Sequence, residues 1–427
     1  MRTDLLTRFG RLVAPLLKPA AACSALLLLL SCSGTQGGDE PVFLTFWTTS
    51  DDEETAFLRE KIDLFQKEHP DIRVTLFKRP FPAATNEFKT AILGDQAVDI
   101  FRADNTWIPG YASLDIVYPL DSLITSSERS GFLGSALQAA MYQGKLYGLP
   151  SVVEVPALLY NKRLLAEAGY EQPPKTMEEL KKAAAAATKD GHYGLYVSED
   201  SYFALPYLWA FGGGMIGTRG EISIDSAPSR QGLSFMGELM RMGVTQPYSD
   251  FNNGYNTMID DFKKGKSAMI ITGPWAVGDV LKGREFAGAA DSLGVAPIPS
   301  GPGGQGSPVG GQTLVINRYT QHPRESYELI SYLTSAEIQA EQSRRLRTLP
   351  TQAAAYLDEE LSEDDIVQGF RLQMDTARAL PAIPEVSDLF LDFTSNLNVM
   401  LLGRLSVEEG TDRIANDWRS LLQIPSE

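Results

Sequence analysis

Three stretches of this chain carry carboxylates where loops or strand ends are expected: Asp51-Asp52-Glu53-Glu54, Asp104 and Glu154. Aromatic residues accompany them, at Trp47, Trp107, Tyr202, Trp209 and Trp275. Ionised carboxylates accept charge-assisted hydrogen bonds from pairs of hydroxyls, and aromatic faces stack on the apolar C–H face of a pyranose. The mixture suits carbohydrate. Two plainer readings compete: Asp51 to Glu54 cap the following helix, and the aromatics fill a core. A carboxylate pair also marks a glycosidase, which needs one acid and one base or nucleophile. Spacing alone does not separate a binder from a hydrolase.

Other chemistries have less to build on. Gly265-Lys266-Ser267 looks like the end of a phosphate loop, but Asp260 stands where that loop needs glycine, and Asp260 and Asp261 repel phosphate. The Gly-rich stretch 301–311 contains Pro302 and Pro308 and opens no helix, so it is not a dinucleotide fingerprint. The three histidines, His69, His192 and His322, lie in no metal-binding or hydrolase pattern. No cofactor, no metal and no catalytic residue is expected.

The elements that must position these residues begin after a leader. Arg2, Arg8, Arg11 and Lys18 precede an uncharged run from Pro19 to Leu30, followed by Ser31-Cys32. A run of this length is too short for a membrane-spanning helix and suits a signal peptide. The small residue before Cys32 resembles a bacterial lipobox, with Leu30 a departure at the position two before the cysteine. Residues 1–31 are then removed, Cys32 carries lipid and residues 32–39 form a tether. Loss of the leader's four basic and one acidic residue takes the net charge from −16 to −19. So acidic a surface excludes nucleic acid, whose phosphates require cations. Only Cys23 and Cys32 occur, so the mature chain has no internal disulfide.

Strand, helix and strand follow in 36 residues: 42–47, a helix carrying Leu58, Ile62 and Phe65 and ended by His69-Pro70, then 72–77. This βαβ unit starts a parallel sheet whose ligands bind beyond the carboxyl ends of its strands, where Thr48 to Glu54 lie. A helix over 86–93 and a strand over 99–102 repeat the pattern, with 103–107 as the loop beyond. Residues 145–163 read as a strand crossing between lobes, 176–189 and 202–211 as helices, 267–272 as a strand and 299–311 as a loop or hairpin tip. From Arg324 onward the pattern is helical, broken at Leu349-Pro350-Thr351 and by Pro381 and Pro384.

Tyr147-Gly148-Leu149-Pro150, then Leu158-Leu159-Tyr160-Asn161-Lys162 and Ala168-Gly169, closely resembles the signature of family 1 extracellular solute-binding proteins, the sugar-binding subunits of bacterial ABC importers. Asp99-Ile100-Phe101 before Asp104 and Trp107, Ile271-Thr272-Gly273-Pro274-Trp275, and Gly310-Gly311 before Leu314-Val315-Ile316 continue the resemblance in order. It is closest to the maltose/trehalose-binding branch.

The resemblance implies an α/β, two-lobed periplasmic-binding-protein-like fold (type II) with three hinge crossings and ligand in the cleft. Lobe 1 takes 40–152 and 295–343, and lobe 2 takes 157–292 and 348–427. The crossings fall at 153–156, 293–294 and 344–347. It also implies that Glu54, Asp104 and Glu154 contact sugar hydroxyls, that Trp275 stacks on a ring and that Tyr202 contributes. Trp107, Gly311 and Gln312 complete the expected set, with Gln312 standing where many members carry tryptophan. Ala84-Thr85-Asn86 offers no guanidinium where some disaccharide binders have arginine, a role open to Arg344, Arg345 and Arg347. Implied partners are a di- or oligosaccharide, the transmembrane permease subunits and, through Cys32, a membrane. The chain is expected to be a monomer. Polyamine and glycerol phosphate are the alternative solutes, and a lipid-anchored glycoside hydrolase is the alternative class.

Overall fold

The N-terminal strand β1 (Val42–Thr48), helix α1 (Asp52–Glu68) and strand β2 (Ile72–Lys78) form the expected βαβ unit, with β1 and β2 paired in parallel over their whole length. This computed structural model describes residues 41–94, 98–189, 191–217, 220–247 and 253–424. The leader, Cys32 and the tether to residue 39 lie outside the described residues. Helix α2 (Phe81–Leu93) begins five residues earlier than expected. Pro82 sits in its first turn, where the missing N–H is an orphan in any case.

Strand β3 (Ile100–Asp104) pairs parallel with β1, so Asp104 ends the strand rather than lying in the loop beyond it. After the short strand Lys145–Leu146, the stretch 145–163 contains two longer strands in different sheets: β4 (Gly148–Glu154) and β5 (Ala157–Asn161). β5 pairs antiparallel with β6 (Met269–Thr272) on one side and β7 (Leu293–Ala296) on the other. The chain changes sheets at Val155 and Pro156. It does not return at 293–294. Leu293 and Gly294 pair with Asn161 and Tyr160, so they belong to an edge strand of the second sheet.

The return is made by β8 (Ser307–Ile316), which corrects the expected loop over 299–311. Only Gly301 to Gly304 form a turn. Pro308 lies near the start of the strand, where loss of one donor is tolerated. Gly310 to Val315 pair with β4 and Gln312 to Ile316 with β3, giving the first sheet the order β2-β1-β3-β8-β4. The short β9 (Ala377–Ala379), within the region expected to be helical, pairs with Ser307 to Val309.

Helix α3 (Ala336–Leu346) belongs with the first sheet and ends at Arg347, held at φ 57°. Leu349 then bridges to Val153 of β4, and the helix Asp365–Met374 packs against the second sheet. Helix α4 (Val386–Leu401) lies in the second sheet's core with Trp418. Each sheet has apolar clusters on both faces, as a largely buried sheet requires. The two halves also touch directly: Glu53 of α1 pairs with Lys282, which caps the helix Val277–Leu281 following β6.

Candidate functional site

Strand periodicity sets the floor of the site. Ile100 of β3 and Leu314 and Ile316 of β8 pack with Leu58, Ile62 and Phe65 of α1. Side chains two residues apart share a face, so Arg102, Asp104 and Gln312 look toward the start of α1. Arg102 Nη2 donates to Glu54 Oε1 at 3.0 Å and Oε2 at 2.8 Å, and Nη1 donates to Thr49 Oγ1 at 3.3 Å. Gln342 Nε2 on α3 donates to Glu54 Oε1 at 3.1 Å. The pair is nearly dry, with side-chain exposures of 6% for Arg102 and 12% for Glu54. Asp51 caps α1, its Oδ1 accepting from the Glu54 N–H at 2.7 Å. The helix-capping reading of this acidic run therefore holds for Asp51 while Glu54 turns inward.

Asp104 caps the turn Asn105–Trp107: its Oδ1 accepts from Thr106 N at 2.8 Å and Thr106 Oγ1 at 2.6 Å. Its Oδ2 accepts from Gln312 Nε2 at 3.3 Å. The same nitrogen donates to Glu154 Oε2 at 3.3 Å, so one amide joins carboxylates from β3 and β4. Burial pushes the Glu54 carboxyl up, opposed by the Arg102 charge. Burial also raises Asp104, opposed by its bonds from Thr106. Glu154 is pushed up to about 7, first by burial and then by Asp104 and Glu54, while Arg102 pulls the other way.

An aromatic wall faces these acids from the second half. Tyr202 sits in the turn Ser201–Ala204, capped by Asp200 Oδ1, which accepts from Tyr202 N at 2.8 Å. Its hydroxyl oxygen lies 3.1 Å from where a Cβ on Gly310 would stand. Burial holds that phenol well above its ordinary range, with Glu154 and Asp104 adding to the effect. Trp275 folds back over Gly273, where a Cβ would lie 1.9 Å from the ring. Trp275 Nε1 donates to Tyr255 Oη at 2.7 Å, and burial pushes the Tyr255 phenol up to about 12, with Glu154 adding. Gly311 has φ 148°, and a Cβ there would stand 2.3 Å from the Val152 carbonyl oxygen.

The structure thus gathers Glu54, Asp104, Glu154, Gln312, Gly311 and Tyr202, with Trp275 joined through Tyr255. Trp107 is elsewhere: its indole is buried in the α2-side core, 6.0 Å from the Phe101 ring and nearly parallel to it. Trp47 and Trp209 are core residues too. The three C-terminal arginines do not supply the absent guanidinium. Arg344 pairs with Asp358, Arg345 with Glu60 and Glu341, and Arg347 with Asp364. The guanidinium at the site is Arg102, which the sequence reading missed, together with Gln342 and Tyr255. Its signal was an arginine alternating with Ile100 inside an apolar strand, two residues before Asp104. Among the described residues no group of three His, Cys, Asp or Glu side chains could hold a metal ion.

Two α/β sheets in a chain that passes between them, with acids from one half facing aromatics of the other, define a two-lobed binding-protein fold. The chain belongs to the family of bacterial extracellular solute-binding proteins, matched over residues 49–340. The GacH receptor of Streptomyces glaucescens, solved unliganded and with acarbose, is similar at 33% identity and TM-score 0.85, covering 90% of this chain and 100% of that one. The maltotriose-binding protein of Pyrococcus abyssi is 27% identical over 326 residues, 74% of this chain and 68% of that protein. The galactooligosaccharide-binding protein of Bacillus subtilis is 22% identical over 411 residues, 92% and 94% of the two chains.

Proposed function

We propose that this chain is the substrate-capturing subunit of an ABC importer, holding a di- or oligosaccharide of the maltose, trehalose or α-glucoside type between its two halves. The observation that carries this reading is the Asp104–Gln312–Glu154 bridge opposite Tyr202 and Trp275. Carboxylates bind hydroxyl pairs and ring faces stack on sugar C–H surfaces. The similarity to receptors and binding proteins for acarbose, maltotriose and galactooligosaccharides supports it. Trehalose is carried by the sequence resemblance alone.

The passages between the sheets act as a hinge. Ligand touching both halves favours the closed form by the contacts made only there. The closed form docks on the transmembrane permease subunits and the chain catalyses nothing. Lipid on Cys32 keeps a monomeric binder on the outer side of a bacterial membrane, raising its concentration near the permease. No helix among the described residues is long and apolar enough to cross a membrane.

Isothermal titration calorimetry of residues 33–427 against maltose, maltotriose, trehalose, acarbose and spermidine tests the reading. Micromolar or tighter binding of a sugar, with no product by chromatography, is expected. Heat from spermidine alone would replace the sugar with a cation, and released monosaccharide would make the protein an enzyme.

A further inference from the structure

Glu54 is one of the three acids that the family resemblance assigns to sugar hydroxyls, yet both its oxygens are already engaged by Arg102 and Gln342. A carboxylate has about four acceptor sites, so three bonds leave it little capacity for a ligand. Arg102 is buried among three carboxylates and its Nε is buried without a hydrogen-bond partner. It faces Glu54 of α1 directly and lies within electrostatic reach of Asp104 and Glu154. The other groups around these acids are Asp51 on α1 and the phenols of Tyr202 and Tyr255, none of which is a cation.

We propose that Arg102 is the positioning residue of the cleft: it clamps Glu54 and sets the charge of the floor, so that Asp104 and Glu154 are the acids that receive the ligand. The proposal rests on the sugar-binding reading above. Glu54 then acts through Arg102 rather than on the sugar. The pair contributes one charge of each sign, and its net effect on Asp104 and Glu154 is the difference between a nearby cation and a nearby anion. Loss of Arg102 alone leaves three uncompensated buried acids, of which at least one must take up a proton at neutral pH.

The test is the pH dependence of maltotriose affinity between pH 5 and 9 for the wild type, Arg102→Met, Arg102→Lys and the double variant Arg102→Met/Glu54→Gln. In Arg102→Met the midpoint of the profile moves up by about one pH unit or more, and affinity at pH 7 falls about tenfold. Arg102→Lys keeps the charge and holds the midpoint near the wild-type value. The double variant removes one charge of each sign, so its buried floor is less unbalanced even where Arg102→Met folds poorly, and its midpoint falls between those of the wild type and Arg102→Met, because Arg102 acts on Glu154 more strongly than Glu54 does. An unmoved midpoint in Arg102→Met, or one in the double variant displaced as far as in Arg102→Met, overturns the proposal. If the wild type binds no sugar at any pH, the sugar reading has failed. The clamp is then read from the pH at which ligand-free stability falls in the same four proteins, with the same shifts expected and the same results overturning it.

Discussion

Glu154→Gln offers a measurement in which stability and function move in opposite directions. In the fold the Glu154 carboxyl titrates at about 7, against 4.5 in an open chain. The native state therefore binds more protons than the unfolded state between those values, and stability falls as pH rises through that window. At 1.36 kcal/mol per pH unit, the difference between about 7 and 4.5 costs the wild type up to about 3 kcal/mol once Glu154 is fully ionised. Glutamine has nearly the same shape, and its carbonyl oxygen accepts from Gln312 Nε2 as the Glu154 oxygen does at 3.3 Å. It carries no charge at any pH. The variant is expected to match the wild type below pH 4.5 and to exceed it by up to about 3 kcal/mol at pH 8. Urea unfolding at intervals from pH 4.5 to 8, on ligand-free protein, measures the difference. Sugar affinity at pH 8 should fall about tenfold in the same variant, because a charge-assisted bond is roughly twice as strong as a neutral one. Parallel stability curves across that range would refute the reasoning, since they would mean that Glu154 ionises at its ordinary pH and is not buried in the way described.

Four further outcomes follow from contacts at the site. Glu54→Gln weakens the carboxylate partner of a buried guanidinium and should destabilise by up to about 3–5 kcal/mol, as breaking such a pair does, read by denaturant unfolding. Gly311→Ala places a Cβ 2.3 Å from the Val152 carbonyl oxygen at φ 148° and should cost roughly 1–3 kcal/mol in backbone strain, visible as a lowered urea midpoint. Gly273→Ala cannot keep Trp275 in place, since the added carbon would lie 1.9 Å from its ring. Its tryptophan emission should shift and sugar affinity fall about tenfold or more, a loss of about 1.4 kcal/mol. Lys282→Ala removes an exposed ion pair between the two halves. Its effect on sugar affinity should be no more than about fivefold and should disappear in 1 M salt.

How much of this was legible in the sequence depended on the range of the interaction. The βαβ opening was readable because the 2-residue and 3.6-residue periods are local and the helix stop at His69-Pro70 is local chemistry. The acids Asp104 and Glu154 were readable as carboxylates beside apolar strands, but that each closes its strand was not: Asp104 was expected in the loop beyond and Glu154 within a single crossing. The motifs carrying the family resemblance fixed the two-lobed class, which the matched residues 49–340 establish. Other features needed the fold. The stretch 299–311 has the proline and glycine content of a loop, and β8 forms there because β3, β4 and β9 supply partners from more than 60 residues away. The place where the chain returns to the first sheet shifted for the same reason.

Tertiary packing also decided which side chains of one type are alike. Trp107 and Trp275 are indistinguishable as letters, but one fills the core beside Phe101 and the other folds over a glycine toward Tyr255. Arg344, Arg345 and Arg347 cluster in sequence and disperse to separate ion pairs, whereas the lone Arg102 is buried among the acids. Sequence by itself determined which residues have the chemistry to hold a polyol. Only the tertiary structure decided which acid is clamped by a cation and which is left protonating near neutral pH, because burial and charge pairing are properties of three strands and a helix brought together.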